Sequence, residues 1–232
     1  MHGLGKDAKG EDAVRFTTEN SQESGPFVPA LNKHLPYTSS TGSIAYNTSG
    51  LCLDTFWRSA ENYSAEKTMW AVSQAAPLRR VHISKHLHFG DGGAYSSGGF
   101  LANAEVEGEC DFIANQQWLS RGVDFKGDVS GGAWNIVFAG CEGNVPTPNI
   151  LDGEKVVTVE EKPVVRMEKP FIVMNAEGNY ELHVPKVITD MTSGSDLGSS
   201  NSEIRSFNQV KVAKTYLPTD EDGNYINHPS ET

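Results

Sequence analysis

Cysteine is scarce: Cys52, Cys110 and Cys141 are the only three in 232 residues. Their spacing matches no metal-binding pattern, and an odd count argues against a disulfide framework, so buried thiols are the simplest reading and one adventitious bridge stays open. Long apolar runs are missing as well. No stretch approaches the roughly 18 apolar residues of a membrane-spanning helix, and the opening Met1-His2-Gly3-Leu4-Gly5-Lys6-Asp7 lacks the basic and apolar regions of a secretory signal. The chain therefore reads as soluble, with no membrane insertion. Positive charge is also short: 30 Asp and Glu against 19 Lys and Arg give a net charge of −11. Repulsion then opposes a nucleic-acid backbone or an anionic membrane surface as partner, whereas a neutral or mildly basic ligand is accommodated. Helical periodicity is the last absence. No window of twelve or more residues sustains apolar positions at i, i+3, i+4 and i+7 between caps.

What is present is turn chemistry and short β-rich runs, with 23 Gly and 11 Pro. A hydrophobic content of 38%, with aromatics at 9%, still supplies a core and argues against wholesale disorder. The length suits one or two domains. Asn47-Thr48-Ser49 and Asn62-Tyr63-Ser64 fit the N-glycosylation pattern, which matters only in a secretory pathway.

The runs imply an all-β chain. Residues 1–54 read as an irregular N-terminal segment in which Gly10 to Phe16 could enter a first strand, while Pro26, Pro29 and Pro36 favour loop over Ser21 to Gly50. Over 55–150 an aromatic repeatedly opens a short strand: Phe56-Trp57, Trp70, Phe100, Trp118 and Trp134. These openings are unevenly spaced, and a further β-rich run, Arg80 to Ser84, falls in the widest gap. Imperfect self-similarity without helices predicts coils of a parallel β-helix, each burying its inward side chains by stacking on its neighbours. A β-sandwich is the competing fold, but it calls for more hairpin dipeptides than this segment holds. Over 151–190, Pro170 to Met174 and Tyr180 to Pro185 flank a Gly-containing turn and predict an antiparallel hairpin. Residues 191–206 read as a Gly/Ser-rich linker, and 207–232 as a terminal strand, Phe207 to Ala213, followed by a polar tail.

Four segments carry a resemblance: Trp70 to His82 (WAVSQAAPLRRVH), Gly98 to Asn103 (GGFLAN), Gln116 to Arg121 (QQWLSR) and Gly131 to Gly140 (GGAWNIVFAG). They resemble secreted microbial proteins of the pectin-lyase-like right-handed parallel β-helix superfamily, often labelled coagulation factor 5/8-type or adenylyl-cyclase proteins. The architecture is similar to that of the exo-β-1,3-glucanases of glycoside hydrolase family 55. The resemblance runs from about Thr55 to Ala213 and includes Lys162 to Phe171 and Phe207 to Lys214. It implies a partial right-handed parallel β-helix with a hairpin excursion near the C-terminus, an extracellular location, and a polysaccharide or oligosaccharide of β-glucan type as partner. It also implies a second β-helical half that supplies the general acid and that this chain lacks. A non-catalytic carbohydrate-binding or structural fragment is the alternative.

Glycoside hydrolysis in its usual form needs two carboxyl groups about 5–10 Å apart. Glu61, Glu105, Glu107, Asp111, Asp124 and Asp128 lie on or beside predicted coils, but no pair stands out by spacing, and solvated turn carboxylates explain each of them. In Gln116 to Arg121, amides and a hydroxyl beside an aromatic offer the mixed lining of a sugar cleft. Gln117 and Ser120 are, by resemblance, the candidates for positioning the attacking water; Gln116, Trp118, Arg121 and Asp124 are the candidates for substrate contact. The other reading of the segment packs Trp118 inward and uses its polar neighbours to satisfy buried backbone. A Ca²⁺ site of pectate-lyase kind at Arg121, Asp124 and Asp128 lacks a recognised loop. His82, His86 and His88 alternate on one face, yet no further ligand is visible beside them, so they read as surface or inter-coil histidines and no metal is expected. Gly90 to Gly93 and Gly98-Gly99 open no helix and read as turns rather than phosphate loops. No cofactor is expected.

Overall fold

Apolar side chains recur in the strands at positions that face one interior, and each run needs a neighbouring run to satisfy its peptide groups. The computed structural model describes residues 15–16, 42–45, 58–70, 76–89, 97–113, 115–146, 156–159, 167–189, 193–195 and 202–206. These residues form strands β1 to β16 and no helix. In chain order they are β1 (Arg15–Phe16), β2 (Gly42–Ala45), β3 (Ala60–Trp70), β4 (Pro77–His88), β5 (Phe100–Ala102), β6 (Glu105–Val106), β7 (Glu109–Asp111) and β8 (Trp118–Arg121). Then follow β9 (Asp124–Phe125), β10 (Val129–Ser130), β11 (Ile136–Ala139), β12 (Glu142–Gly143), β13 (Val156–Val159), β14 (Phe171–Met174), β15 (Tyr180–Pro185) and β16 (Ser202–Ser206).

The pairing of β1 to β13 is parallel throughout, which makes a β-solenoid and excludes the sandwich. One column of stacked residues runs Ala60, Leu78, Leu101, Ser120, Phe138, Thr158, and its numbering gives the length of each coil, longest between Leu78 and Leu101. A second runs Ala65, Ile83, Val106, Phe125, Gly143. A third runs Thr68, Leu87, Cys110, Val129. The first two columns meet at a corner where one residue per coil turns left-handed: Asn62 (φ 60°), Arg80 (50°), Asn103 (51°), Gly122 (61°) and Gly140 (58°). That single residue swaps the alternation. In Leu78-Arg79-Arg80-Val81-His82-Ile83, Leu78, Val81 and Ile83 all have 0% exposure, because the twist at Arg80 brings Val81 back to the inside.

The interior is filled by stacked rings. Phe89 lies 4.0 Å from Trp118 and 4.7 Å from Phe112, and Phe138 lies 5.8 Å from both Phe112 and Phe125, all between ring centroids. Each such buried side chain contributes about 1.5–3 kcal/mol. Trp70, also wholly buried, donates its indole N–H to the Ala76 carbonyl at 3.2 Å. Phe100 and Trp118 open strands as the sequence predicts. Trp70 instead closes β3, and Trp134 lies outside β11 with 49% exposure; Phe56 and Trp57 fall outside the described residues. Cys110 and Cys141 are free thiols, and Cys52 is not among the described residues. Burial raises the Cys110 thiol well above its ordinary value and pushes Cys141 up to about 11.

Outside the coils, β14, β15 and β16 form an antiparallel sheet. The predicted hairpin is its first two strands. Ser202–Ser206, read in sequence as linker, is its third, because its backbone completes the open edge of β15. β1 lies in the stretch expected to enter a first strand, whereas β2 lies in Ser21 to Gly50, read as loop; both add to the edge of β3. The strand predicted over Phe207 to Ala213 lies outside the described residues.

A buried carboxylate joins this outer sheet to the coils. Glu168 has a wholly buried side chain that accepts from Arg79 Nε at 2.8 Å, Asn103 Nδ2 at 2.6 Å and its neighbour's backbone, Lys169 N, at 2.8 Å. Lys169 Nζ pairs with the buried Glu61 at 2.6 Å, and the Arg80 guanidinium lies 3.9 Å over the Phe171 ring. Removing one partner of such a buried pair costs about 3–5 kcal/mol. Glu168→Ala is therefore expected to lower the stability measured by urea unfolding by that amount. An effect below about 1 kcal/mol, the scale of an exposed pair, would show that the outer sheet is held by something else.

A second corner needs glycine for lack of room. A Cβ on Gly108 would stand 1.7 Å from the Lys85 carbonyl oxygen, and one on Gly127 would stand 2.1 Å from that of Gly108. The backbones of three successive coils touch here. Gly127→Val is expected to destabilise by about 3 kcal/mol or more, at the upper end of overpacking costs, and a thermal melt near that of the parent chain would refute the contact.

Candidate functional site

Strand β8 alternates in burial, and that alternation separates the predicted site residues. Trp118 and Ser120 point inward, at 3% and 0% exposure. The Trp118 ring packs on Phe89 and meets Phe112 edge-on with centroids 6.1 Å apart, so its faces belong to the core rather than to solvent. Gly99 backs directly onto that ring; a Cβ there would stand 2.0 Å from it. Ser120 Oγ and Trp118 Nε1 are buried without a hydrogen-bond partner among the described residues. Gln117 is exposed and Gln116 half-buried, and an Asx turn, Gln117 N donating to Asn115 Oδ1 at 3.2 Å, holds the approach to the strand. Arg121 is half-buried on the outer side, stacked between Ala102 and Ala139.

Asp124 lies around the corner that Gly122 makes, half-buried in a ladder between Glu105 and Glu142. Gly194 N donates to the Gly122 carbonyl at 3.0 Å and closes that corner from outside. The structure thus sets Gln117 and Arg121 on the outward side, leaves Gln116 half-buried ahead of β8, puts Asp124 around the corner, and turns Trp118 and Ser120 inside. Gln117 and Ser120 stand on opposite sides of the wall. Several other candidate carboxylates are occupied: Glu61 by Lys169, Glu105 by Lys126 Nζ at 2.5 Å, and Asp111 by the Ile113 backbone N–H at 2.7 Å.

The sequence sets three histidines on one face but gives no sign of the carboxylates that meet them. Outer positions of β4 carry His82, His86 and His88, and the coil below carries Glu105, Glu107, Glu109 and Asp111. The register sets His82 on Glu105, His86 on Glu109 and His88 on Asp111. These partners are a full coil apart in the chain, and only the coil length aligns them. His86 Nε2 stands 3.3 Å from Glu109 Oε2, and the Nε2 atoms of His86 and His88 are in contact. Burial lowers both imidazoles. For His88 the value falls to about 4, through burial first and the neighbouring His86 charge second; for His86 burial outweighs the opposing pull of Glu109 and Asp111.

A histidine whose folded value lies near 4, against about 6.5 in the unfolded chain, binds its proton in the unfolded state first. Its effect on stability is therefore absent above about pH 6.5 and destabilising as pH falls toward about 4. His88→Asn is expected to flatten the fall in melting temperature between pH 6.5 and pH 5. An unchanged slope would mean that His88 protonates in the fold as readily as in the unfolded chain.

Comparison with known proteins places the fold. No protein-family model matches the chain. An exo-β-1,3-glucanase of Streptomyces sp. (strain SirexAA-E / ActE) is 36% identical over 159 residues, 66% of this chain and 25% of the glucanase. The chain is homologous to this family 55 glucanase. The solved structure of sacteLam55A from Streptomyces sp. SirexAA-E superposes with a TM-score of 0.68 at 29% identity over 90% of this chain and 34% of its own. A variant of sacteLam55A in complex with glucose gives a TM-score of 0.65 at 28% identity over 91% and 35%. The homologous chain thus spans about a quarter to a third of the length of these relatives.

Proposed function

We propose that this chain is a glycoside-hydrolase-like β-helix that binds or acts on a β-1,3-glucan type of polysaccharide. The observation that carries the reading is homology over 159 residues to an exo-β-1,3-glucanase, together with the fold shared with a protein solved in complex with glucose. In this reading the outward face carrying Gln117 and Arg121 meets the sugar, and Gln116 contacts it from the approach to β8. Amides and a guanidinium exchange hydrogen bonds with neutral hydroxyls and need no charge on the ligand, which suits an acidic chain. Asp124, around the corner, contacts a sugar residue further along the polymer.

Trp118 acts from inside: packed against Gly99 and Phe89, it fixes the strand that carries its outward neighbours. Of the two residues proposed to position water, Gln117 does so at the surface, and Ser120 Oγ would meet water only within the wall, where Trp118 Nε1 is a second buried polar atom. The chain matches about a quarter to a third of the length of the glucanase relatives, so binding and cleavage are separate questions in this reading. In this reading the protein acts outside the cell.

Isothermal titration with laminarin oligosaccharides, beside a reducing-sugar assay, tests this. Saturable binding is expected, weakened about tenfold or more by Gln117→Ala or Arg121→Ala, with the fold unchanged by circular dichroism. Turnover would make the chain an enzyme in its own right, and binding without turnover a recognition module. Absence of both binding and turnover would remove β-glucan from consideration.

A further inference from the structure

We infer that His82, Glu105 and Glu107 form a binding site for a divalent transition-metal ion of the Zn²⁺ type, built across adjacent coils. The ligand atoms of the three side chains lie within 4.8 Å of one another. Glu105 sits in register beneath His82, and the pairing continues through Glu107 N donating to the Ile83 carbonyl at 2.8 Å. Glu105 and Glu107, at alternate positions, then project to the same side as the imidazole above them.

The imidazole is prepared for this role. His82 is 8% exposed, and its Nε2, directed at the carboxylates, makes no hydrogen bond among the described residues, although Glu107 Oε1 stands 3.1 Å away outside bonding geometry. On the other side of the ring, Nδ1 lies 3.0 Å from Ser64 Oγ, contributed by the coil above. An Nδ1–H donated to that oxygen leaves the Nε2 lone pair facing two carboxylates, an arrangement that a cation between them stabilises and that an oxygen on the far nitrogen commonly orients in metal sites. One imidazole and two carboxylates, with a position left for water, form the mixed nitrogen and oxygen set that Zn²⁺ accepts. Bond lengths of about 2.0–2.2 Å require the carboxylates to draw inward, and Glu107, being exposed, is able to move. Lys126 Nζ on Glu105 competes for the same carboxylate. The bound ion would tie β4 to β6, with Ser64 of β3 behind the histidine, and so fasten three coils at one point.

The test is calorimetric titration of the full chain, freed of metal with chelator, with Zn²⁺, followed by Co²⁺ absorption to read the ligand field. One equivalent is expected to bind and to raise the melting temperature. Glu107→Gln should weaken binding at least tenfold, and because Glu107 is exposed the variant keeps the fold. Lys126→Met should tighten binding, which a merely structural role for the three residues does not anticipate. His88→Asn should leave the affinity unchanged. The assignment is overturned if no saturable binding appears up to millimolar Zn²⁺, if Glu107→Gln binds as tightly as the parent chain, or if His88→Asn abolishes binding and so places the ion at the His86 and His88 pair.

Discussion

Every feature of this molecule depends on the in-register parallel stacking of coils. A coil cannot satisfy its own peptide groups; the ladder N–H and C=O groups of β3 to β13 find their partners in the coil above or below, at the roughly 4.8 Å spacing of a β-ladder. Side chains inherit that spacing. Inside, it produces columns of stacked residues and brings the rings of Phe89, Trp118, Phe112 and Phe138 against one another. Outside, it makes ladders in which Ser64, His82, Glu105, Asp124 and Glu142 follow one another. The proposed glucan wall and the proposed metal site are two faces of the same stack.

The stacking also explains the exceptions. Positive φ at Asn62, Arg80 and Asn103 is costly for residues with a Cβ, yet all three share a corner with Gly122 and Gly140. Each accepts that conformation because its neighbours above and below need the same turn. The long side chains found there are put to use: Asn103 and Arg79 hold Glu168, while Arg80 bonds Asn62 and lies over Phe171. The corner that bends every coil is thus also the surface on which the outer sheet is mounted.

Much of this was legible in residue order. The lack of helical periodicity, the short β runs and the Gly-containing turn at 175–179 led to an all-β chain with a late hairpin, and both are present. The phase of the repeat was not. Large aromatics such as Trp70 and Trp134 suggest coil starts that do not exist, whereas the recurring unit is a quieter one: Ala60 to Ala65, Leu78 to Ile83, Leu101 to Val106, Ser120 to Phe125 and Phe138 to Gly143, each with Asn, Arg or Gly at its third position. An Arg in that position, and loops of unequal length between units, hid the register.

Composition and local pattern by themselves determined the acidic surface, the scarcity of covalent ties, the strand-forming character and the kinship of the coil segments, because these depend on residue type and near neighbours. Which residues meet was decided only by the tertiary structure. Trp118 and Ser120 turn inward while Gln117 and Arg121 turn outward, since adjacent strand residues take opposite sides. His82 meets Glu105 because the coil between them has the length it does, and that separation carries no signal until backbone hydrogen bonds lock one coil upon the next.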